Sequence, residues 1–460
     1  MKHSGILRIM VVALTLSLLI LAIPATPALA LTGTITAMSP ATGPPGTLVS
    51  ITGSGYSPNG TPTVWWSGTA VSTTGTVNSA GSLSASFYVP TYPRATYSVT
   101  VTSANATVTD TTLTPASFTI TPQITLSSAS GYVGDNITVT GTGFAASSTV
   151  TIYFDSTAVV TTPTITTTTL GTFSAVVLTV PASVRGTHIV QGYDVYGYSP
   201  SVVNFTTYSK ITVTPASAAV GDNITISGTG FAALQSIAIT FDGVAMTTTP
   251  AAVTTSSVGS FGPASFTVPA RVRGSYTIRA QDISVNYATA TFSTTQSITL
   301  TPTSGPNGTK VTVNGTGFNA SATITTYFDD VPVTTATVVV TTDPTGAFST
   351  SFDIPSSAGG AHQIKASDGT NTDTKTFTVT ATISISPTSG YVGMKVTVTG
   401  TGFLASKLDV TILFNNVLVK TTSTDTKGVL STSFDVPAKA AGTYTIRVSD
   451  GTNVKDADFT

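Results

Sequence analysis

The chain has 460 residues, of which 40% are hydrophobic, so it is long enough for about three domains of about 150 residues each. Only 8% of the residues are charged, the net charge is −1, glutamate and cysteine are absent, and threonine is abundant. This composition disfavours a long helical protein, offers no basic surface for nucleic acid, and excludes chemistry that depends on thiols.

The first element in chain order is a predicted export signal. Lys2 and Arg8 precede an apolar run over residues 9–23, and Ala28 and Ala30 place small residues before a cleavage point. The run is shorter than the about 20 residues that a membrane-spanning helix needs. The pattern predicts a Sec-type signal peptide over residues 1–30, with an uncleaved membrane anchor as the alternative. We therefore expect an extracellular or cell-surface protein that meets the membrane only during export.

A repeated motif follows the signal peptide. A turn glycine is followed seven residues later by Gly-x-Gly and an aromatic residue, and the turn glycines are Gly46, Gly134, Gly221, Gly308 and Gly393. Their spacing of 85 to 88 residues is too long for a solenoid repeat and suits a small β domain. The repeat therefore replaces the length-based estimate of three domains with five.

The five predicted domains share the same internal order of strands. Their boundaries are predicted at residues 31–122, 123–210, 211–297, 298–382 and 383–460, and we expect the last strand of the fifth domain to be clipped. In the second domain, residues 137–140 and 150–154 alternate apolar and polar side chains, as half-buried strands do. Asp155 and Ser156 form a hairpin turn, and further strands end at Val180 and at Phe205.

This pattern predicts an all-β protein of five tandem immunoglobulin-like (Ig-like) sandwiches. Alternate residues of the third strand and the phenylalanine after Gly-Thr-Gly supply the predicted core. Because the connections between domains are short, we expect an elongated and stiff array.

The motifs resemble those of the IPT/TIG domain, which has an Ig-like fold. The shared features are Pro-x-x-Gly-x-x-Gly, an apolar strand, Gly-Thr-Gly-Phe, and a Phe-Asp hairpin. The family's proline is found at Pro40, Pro215, Pro302 and Pro387, and Ser128 replaces it in the second repeat. The resemblance implies an extracellular interaction or spacer module of prokaryotic surface proteins, without catalytic residues. The DNA-binding role of this domain in transcription factors is disfavoured here, because the chain lacks a basic surface and carries a predicted signal peptide.

Histidine and aspartate are the residues that could carry chemistry in the mature chain. His188 and His362 occupy a position that is tyrosine in the other repeats, which is similar to the tyrosine corner of Ig-like sandwiches and indicates a structural role.

An aspartate recurs six residues after this position and is interpreted as a turn cap; these residues are Asp194, Asp282, Asp368 and Asp450. Calcium held by these carboxylates at domain junctions is the functional alternative, with Asp135 and Asp222 assisting in two repeats. No other cofactor is predicted.

Six aromatic residues are candidate ligand contacts. Trp65, Tyr153 and Tyr327 alternate with core residues and are expected to face outward, and the last hairpin of the second repeat adds Tyr193, Tyr196 and Tyr198. Exposed aromatic rings with a polar tip suit binding to sugars or proteins. The alternative is that these rings are cross-strand packing partners.

The sequence also contains acceptor motifs for N-glycosylation. Their asparagines are Asn59, Asn105, Asn136, Asn204, Asn223, Asn307, Asn314 and Asn319.

Three functional hypotheses follow from these features. The leading one is an exported, non-catalytic, rod-like protein for cell adhesion or the cell envelope, whose partners are other surface proteins or glycans and which could self-associate through strand edges. The second is a carbohydrate-binding accessory array. The third is the N-terminal part of a larger secreted enzyme or envelope-layer protein.

Overall fold

The computed structural model describes residues 32–105, 112–197 and 202–460. These residues form strands and turns, and no helix among them is long and apolar enough to cross a membrane. The predicted signal peptide lies outside the described residues. The chain divides into one compact unit that ends at Tyr208 and a second that begins at Ser209.

The first sandwich lies at the start of the first unit. Its strands are β1 (Thr32–Ser39), β2 (Thr42–Gly43), β3 (Leu48–Ser54), β4 (Thr61–Trp66), β5 (Thr69–Val71), β6 (Thr73–Val77), β7 (Leu83–Tyr88), β8 (Thr96–Ala104), β9 (Thr112–Thr114) and β10 (Ala116–Ile120). One sheet has the order β6-β7-β3-β1-β9 and the other β2-β10-β8-β4-β5.

The second sandwich completes the first unit. Its strands are β11 (Gln123–Leu126), β12 (Ser130–Tyr132), β13 (Asn136–Thr142), β14 (Thr149–Phe154), β15 (Thr157–Val159), β16 (Thr161–Thr162), β17 (Ile165–Thr166), β18 (Phe173–Thr179), β19 (Gly186–Asp194) and β20 (Val203–Tyr208). The sheets have the orders β11-β13-β18-β16 and β12-β20-β19-β14-β15, and β17 pairs with β14.

The third sandwich opens the second unit. Its strands are β21 (Lys210–Thr214), β22 (Ser217–Ala219), β23 (Asn223–Thr229), β24 (Ile237–Phe241), β25 (Val244–Ala245), β26 (Phe261–Thr267), β27 (Gly274–Asp282) and β28 (Tyr287–Thr295). The sheets have the orders β21-β23-β26 and β22-β28-β27-β24-β25.

The fourth sandwich repeats this arrangement. Its strands are β29 (Ser297–Thr301), β30 (Ser304–Gly305), β31 (Lys310–Thr316), β32 (Thr323–Phe328), β33 (Val331–Pro332), β34 (Val340–Thr341), β35 (Phe348–Asp353), β36 (Gly360–Ser367) and β37 (Thr372–Val379). The sheets have the orders β29-β31-β35 and β30-β37-β36-β32-β33, and β34 pairs with β32.

The fifth sandwich contains β38 (Thr382–Ser386), β39 (Lys395–Thr401), β40 (Val410–Phe414), β41 (Val417–Thr422), β42 (Leu430–Asp435), β43 (Tyr444–Ser449) and β44 (Val454–Phe459). Its sheets have the orders β38-β39-β42 and β41-β40-β43-β44. The predicted fold class, all-β with tandem Ig-like sandwiches, is confirmed. The exact domain boundaries in the sequence, and the shortened last strand of the fifth domain, stay predictions.

Each sandwich encloses one cluster of buried apolar side chains between its two sheets. In the second sandwich, Ile152 and Phe154 of β14 point into the core while Tyr153 between them is half-buried on the outer face. The alternation follows from the two-residue period of a strand, and β-branched and aromatic residues fit its pleated surface. Removing each large side chain from water contributes about 1.5–3 kcal/mol to the stability of the fold.

The glycines of Gly-Thr-Gly-Phe have two different physical roles. Gly141 lies under a ring, because a Cβ placed there would be 2.1 Å from the ring of Phe173. Gly143 has a φ of +71°, a left-handed conformation that disfavours other residues. The motif therefore ends the strand and turns the chain so that Phe144 enters the core, where it is 1% exposed.

Candidate functional site

The loop after Gly-Thr-Gly-Phe is held by a pair of side chains that we name the Asp–Thr clamp. In the fifth sandwich, the N–H of Leu404 donates to Oδ2 of Asp450 at 2.7 Å, and Oγ1 of Thr424 donates to the carbonyl of Leu404 at 2.5 Å. Both backbone groups of one loop residue are therefore satisfied by side chains. The same contacts hold Ala145 (Asp194 and Thr167), Ala232 (Asp282 and Thr255) and Asn319 (Asp368 and Thr342).

The same aspartates also cap the last hairpin of each of these sandwiches. Oδ1 of Asp450 accepts the N–H groups of Thr452 and Asn453, at 2.8 and 2.6 Å. The predicted turn-capping role is confirmed. The bond across the sandwich to the clamped loop residue was not predicted, and it gives the aspartate a second role.

The hydrogen bonds of the clamp change the ionisation of two carboxyls. Burial raises the pKa of Asp368 and of Asp450, but the hydrogen bonds that each carboxylate accepts from its asparagine (Asn371 or Asn453) and from backbone N–H groups outweigh burial. Both pKa values therefore lie below the ordinary value of an aspartate, and the ionised form stabilises the fold.

The geometry also bears on the calcium alternative. The carboxylate oxygens of Asp450 accept N–H groups, which leaves few lone pairs directed at a cation. Asp135 and Asp222 accept from the backbone N–H groups of Tyr132 and Ala219 in their own turns. Within the described ranges, no three histidine or acidic side chains lie close enough together to hold a metal ion.

The position shared by tyrosine and histidine is a corner that ties a strand to the preceding loop. The hydroxyls of Tyr97, Tyr276 and Tyr444 each donate to the carbonyl four residues earlier, at 2.7, 2.9 and 2.8 Å. Burial raises the pKa of Tyr97, and the nearby Tyr92 adds to this effect, so its hydroxyl stays a proton donor.

The two histidines use both ring nitrogens at the same corner. Nε2 of His188 is 2.9 Å from the carbonyl of Val184, and Nδ1 is 2.5 Å from Oδ2 of Asp155. His362 repeats these contacts with Ala358 and Asp329, at 2.8 and 2.6 Å. Both rings stack on a core phenylalanine. The structural interpretation of the histidines is supported, because both nitrogens of each ring contact groups of the same sandwich.

The aromatic candidates of the third strand face outward and also pack across strands. Nε1 of Trp65 donates to Oγ1 of Thr102 at 2.8 Å, and the Lys365 ammonium lies 4.5 Å from the ring centre of Tyr327. Tyr153 meets Tyr193 edge to face, with the ring centres 5.0 Å apart. Each of these side chains is half-buried, so both the packing role and a free outer face are present.

A shallow depression of about 500 Å³ lies against Tyr153 and Tyr193 in the second sandwich. We name it the tyrosine groove; it is lined by Thr149, Thr151, Tyr153, Ser156, Gln191 and Tyr193, beside Asp194 and the turn that follows. Tyr196 lies in that turn, is 70% exposed, and has the guanidinium of Arg94 5.3 Å from its ring centre. Tyr198 lies outside the described residues.

The predicted glycosylation sites differ in exposure. Asn105 and Asn307 are half-buried and donate to the carbonyls of Pro58 and Ser357. The other asparagines are exposed, and they are Asn59, Asn136, Asn204, Asn223, Asn314 and Asn319. Modification at these positions stays a prediction.

Adjacent sandwiches within each unit share backbone hydrogen bonds. The loop before the corner tyrosine or histidine of one sandwich donates an N–H to the Gly-x-Gly-Phe turn of the next: Arg94 to Phe144 at 2.9 Å, Arg273 to Gly317 at 3.0 Å, and Gly359 to Phe403 at 2.7 Å. Nη1 of Arg273 also donates to Oδ1 of Asn371 at 2.6 Å. The turn that the repeat motif builds is therefore also the docking point for the preceding sandwich.

The threonines of the clamp were missed by sequence reasoning, although a signal was present. Each lies four residues before the glycine that precedes the fifth predicted strand, as Thr424 does before Gly428. In a chain so rich in threonine this spacing did not stand out.

Comparisons with known proteins agree with the tandem arrangement of the sandwiches. A family model described as IPT/TIG domain matches residues 34–120, 122–207, 207–299 and 381–460, and the predicted resemblance is confirmed. The fourth sandwich lies mostly outside these ranges, although its sheets have the strand order of the third. No curated protein matches the sequence.

Several solved structures are similar to the chain at low identity. The bacterial integrin-binding protein invasin is 13% identical, over 74% of this chain and 79% of its own, with a TM-score of 0.20. A tetra-tandem repeat from the extending region of a large adhesion protein is 17% identical over 76% of this chain and 98% of its own, with a TM-score of 0.20. The N-terminal eight Ig domains of the Down syndrome cell adhesion molecule are 13% identical over 93% of this chain and 60% of their own, with a TM-score of 0.18. These scores are too low to bear on function.

Proposed function

The chain belongs to the IPT/TIG domain family, and from this premise we propose that it is an exported, non-catalytic surface protein in which tandem Ig-like sandwiches form a stiff spacer and an interaction surface. The observation that carries this proposal is the repeated junction, in which one sandwich donates a backbone N–H to the Gly-x-Gly-Phe turn of the next. A connection of only one or two residues between sandwiches, as between Ile120 and Gln123, supports the same geometry.

The non-catalytic part of the proposal is supported by how the polar residues are used. His188 and His362 bind acceptors at a structural corner, and the recurring aspartates bind backbone N–H groups. General acid–base catalysis needs such groups within reach of a substrate. These are bound within the fold instead.

The extracellular location rests on the predicted signal peptide and on the composition. A surface with few charges leaves the strand edges without protecting charged side chains. In a crowded cytosol such edges would favour association between molecules of the protein. Surface labelling of intact cells that produce the protein should detect it, and loss of residues 1–30 should retain it inside the cell.

Small-angle X-ray scattering of the chain from Leu31 tests the spacer. At about 3.4 Å per strand residue each sandwich should be about 35–45 Å long, so we expect a maximum dimension of order 200 Å. A compact globular profile would overturn the proposal. The double variant Arg94→Ala and Arg273→Ala should broaden the distance distribution, because it removes side-chain contacts at two junctions, whereas Arg447→Ala, on the outer face of the fifth sandwich, should leave it unchanged.

A further inference from the structure

The tyrosine groove differs from the same surface of the other sandwiches. The third strand of each sandwich pairs with the strand that follows the corner residue, so Tyr153 lies opposite Gln191 and Thr151 opposite Tyr193. This register places the two tyrosine rings diagonally across the strand pair, 5.0 Å apart at an interplanar angle of 76°. An aromatic pair of this kind occurs on that surface in the second sandwich alone among the described residues.

The lining of the groove is neutral apart from the buried side chain of Asp194. The position of Gln191 is taken by Arg279, Lys365 and Arg447 in the third to fifth sandwiches, each opposite the corresponding residue of the third strand. The charged lining residue is Asp194, whose fully buried side chain accepts the N–H groups of Ala145 and Tyr196 and has its Oδ2 3.9 Å from Nε of Arg94. Because these two opposite charges offset each other, a charged ligand would lose its hydration without gaining an unpaired partner charge.

The chemistry of the lining combines two kinds of contact. The rings of Tyr153 and Tyr193 offer apolar faces with polar hydroxyl tips, and their mutual packing holds them in place. The hydroxyls of Thr149 and Thr151 and the amide of Gln191 offer donors and acceptors without charge. A volume of about 500 Å³ lies within the usual range of small-molecule sites.

We propose that the tyrosine groove binds a neutral carbohydrate chain. A sugar ring has an apolar C–H face and a rim of hydroxyls, which match the tyrosine rings and the neutral polar groups of the lining. The inference rests on the proposed surface role, since it names the class of partner that this surface binds.

Glycan binding by the whole chain from Leu31 tests the inference. The probes are neutral oligosaccharides of glucose, mannose and N-acetylglucosamine, together with anionic oligogalacturonate, each titrated by isothermal calorimetry. We expect saturable binding of at least one neutral probe, and at least about tenfold weaker binding of the anionic probe. Tyr193→Ala should weaken the neutral interaction more than about tenfold, as expected for a central aromatic contact.

Three further variants separate binding from folding. Tyr193→Phe keeps the ring and should bind within about threefold of the wild type. Gln191→Lys gives the groove the charge found in the fourth sandwich and should weaken neutral binding. Tyr391→Ala removes an exposed tyrosine of the fifth sandwich, outside the groove, and should bind like the wild type.

The inference would be overturned if no neutral probe bound, if Tyr193→Ala and Gln191→Lys bound like the wild type, or if the groove bound only the anionic probe or a protein. Failure here is distinguishable from failure of the proposed function. If the chain is elongated and exposed on the cell surface but binds no glycan, the proposed surface role stands and the carbohydrate site is wrong. If the scattering profile is compact, the proposed spacer role is wrong, and the glycan-binding measurement is unaffected.

Discussion

The first sandwich and the four that follow hold the same loop in different ways. In the second to fifth, the Asp–Thr clamp binds the loop residue after the phenylalanine. In the first, Ser103 and Val77 occupy the positions of the clamp, and the loop residue is Ser57. The carbonyl of Ser57 accepts from the N–H of Gly60 at 3.0 Å and from Oγ of Ser103 at 3.5 Å.

The first sandwich has a tryptophan in its core and lacks the charged clamp. Trp66 is fully buried, with its ring centre 5.1 Å from that of Tyr97, 5.6 Å from Phe118 and 6.1 Å from Phe87. Aromatic side chains contribute large buried areas that do not depend on pH. The comparison shows that the Ig-like sandwich does not require the clamp, so the clamp is a local device that should be separable from the fold.

The largest expected effect comes from removing a clamp carboxylate. Asp450→Ala leaves the N–H of Leu404 without its acceptor and removes the cap of the last hairpin, so the fifth sandwich should lose about 3 kcal/mol of stability. Because separate sandwiches need not unfold together, amide hydrogen exchange of β43 and β44 in the whole chain is the suitable measurement.

A matched control lies in the same sandwich. Asp435 forms an exposed ion pair with Lys395, and Asp435→Ala should cost less than about 1 kcal/mol. Equal protection of β43 in the two variants would contradict the special role of the clamp.

Acid should destabilise the fourth and fifth sandwiches at a higher pH than the first sandwich. Since the pKa values of Asp368 and Asp450 are lower in the folded state than in the unfolded chain, their stabilisation is complete above the unfolded pKa of about 3.9 and is lost as the pH falls through the folded pKa. The sequence of the first domain contains one acidic residue, Asp110, which lies outside the described residues.

Fluorescence and hydrogen exchange can follow the two regions separately. Trp65 and Trp66 are the only tryptophans, so their fluorescence reports the first sandwich. We expect the amide protection of β36 and β43 to fall below about pH 4 before tryptophan fluorescence changes, and the double variant Asp368→Asn and Asp450→Asn to narrow the difference between the two transition pH values. Simultaneous transitions in the wild type would show that the clamp carboxylates do not set acid stability.

The threonine half of the clamp should have a smaller effect. Thr424→Val keeps the shape but removes the donor to Leu404 and the acceptor for Lys407, at a cost of about 1–2 kcal/mol. Hydrogen exchange of β42 measures the change. Thr421→Val, at an exposed position of the neighbouring edge strand, should have little effect, and an equal loss in both variants would argue against the clamp.

The sequence predicted the repeating parts of this comparison better than the parts that need long-range contacts. Gly-Thr-Gly-Phe, the strand alternation and the corner tyrosine are short-range patterns, and the strands, core and corner were predicted from them. The clamp joins Asp450 to a loop 46 residues earlier, so its partner could not be identified from local spacing. The tyrosine groove depends on the register of β14 and β19, which places Tyr153 beside Tyr193.

Removing the hydrogen bond of the tyrosine corner should cause the smallest loss of stability among these variants. A corner residue, tyrosine or histidine, is present in all five sandwiches. The hydroxyl of Tyr444 donates to the carbonyl of Ala440 at 2.8 Å, but this bond is exposed, so water can replace the lost donor. Tyr444→Phe should therefore destabilise the fifth sandwich by about 0.5–1 kcal/mol, less than Thr424→Val, when measured by hydrogen exchange of β43. Tyr391→Phe changes a tyrosine of the same sandwich that is 73% exposed and should have no effect. A loss for Tyr444→Phe that matched the loss for Asp450→Ala would mean that the corner, and not the clamp, is the main tie at the ends of these sandwiches.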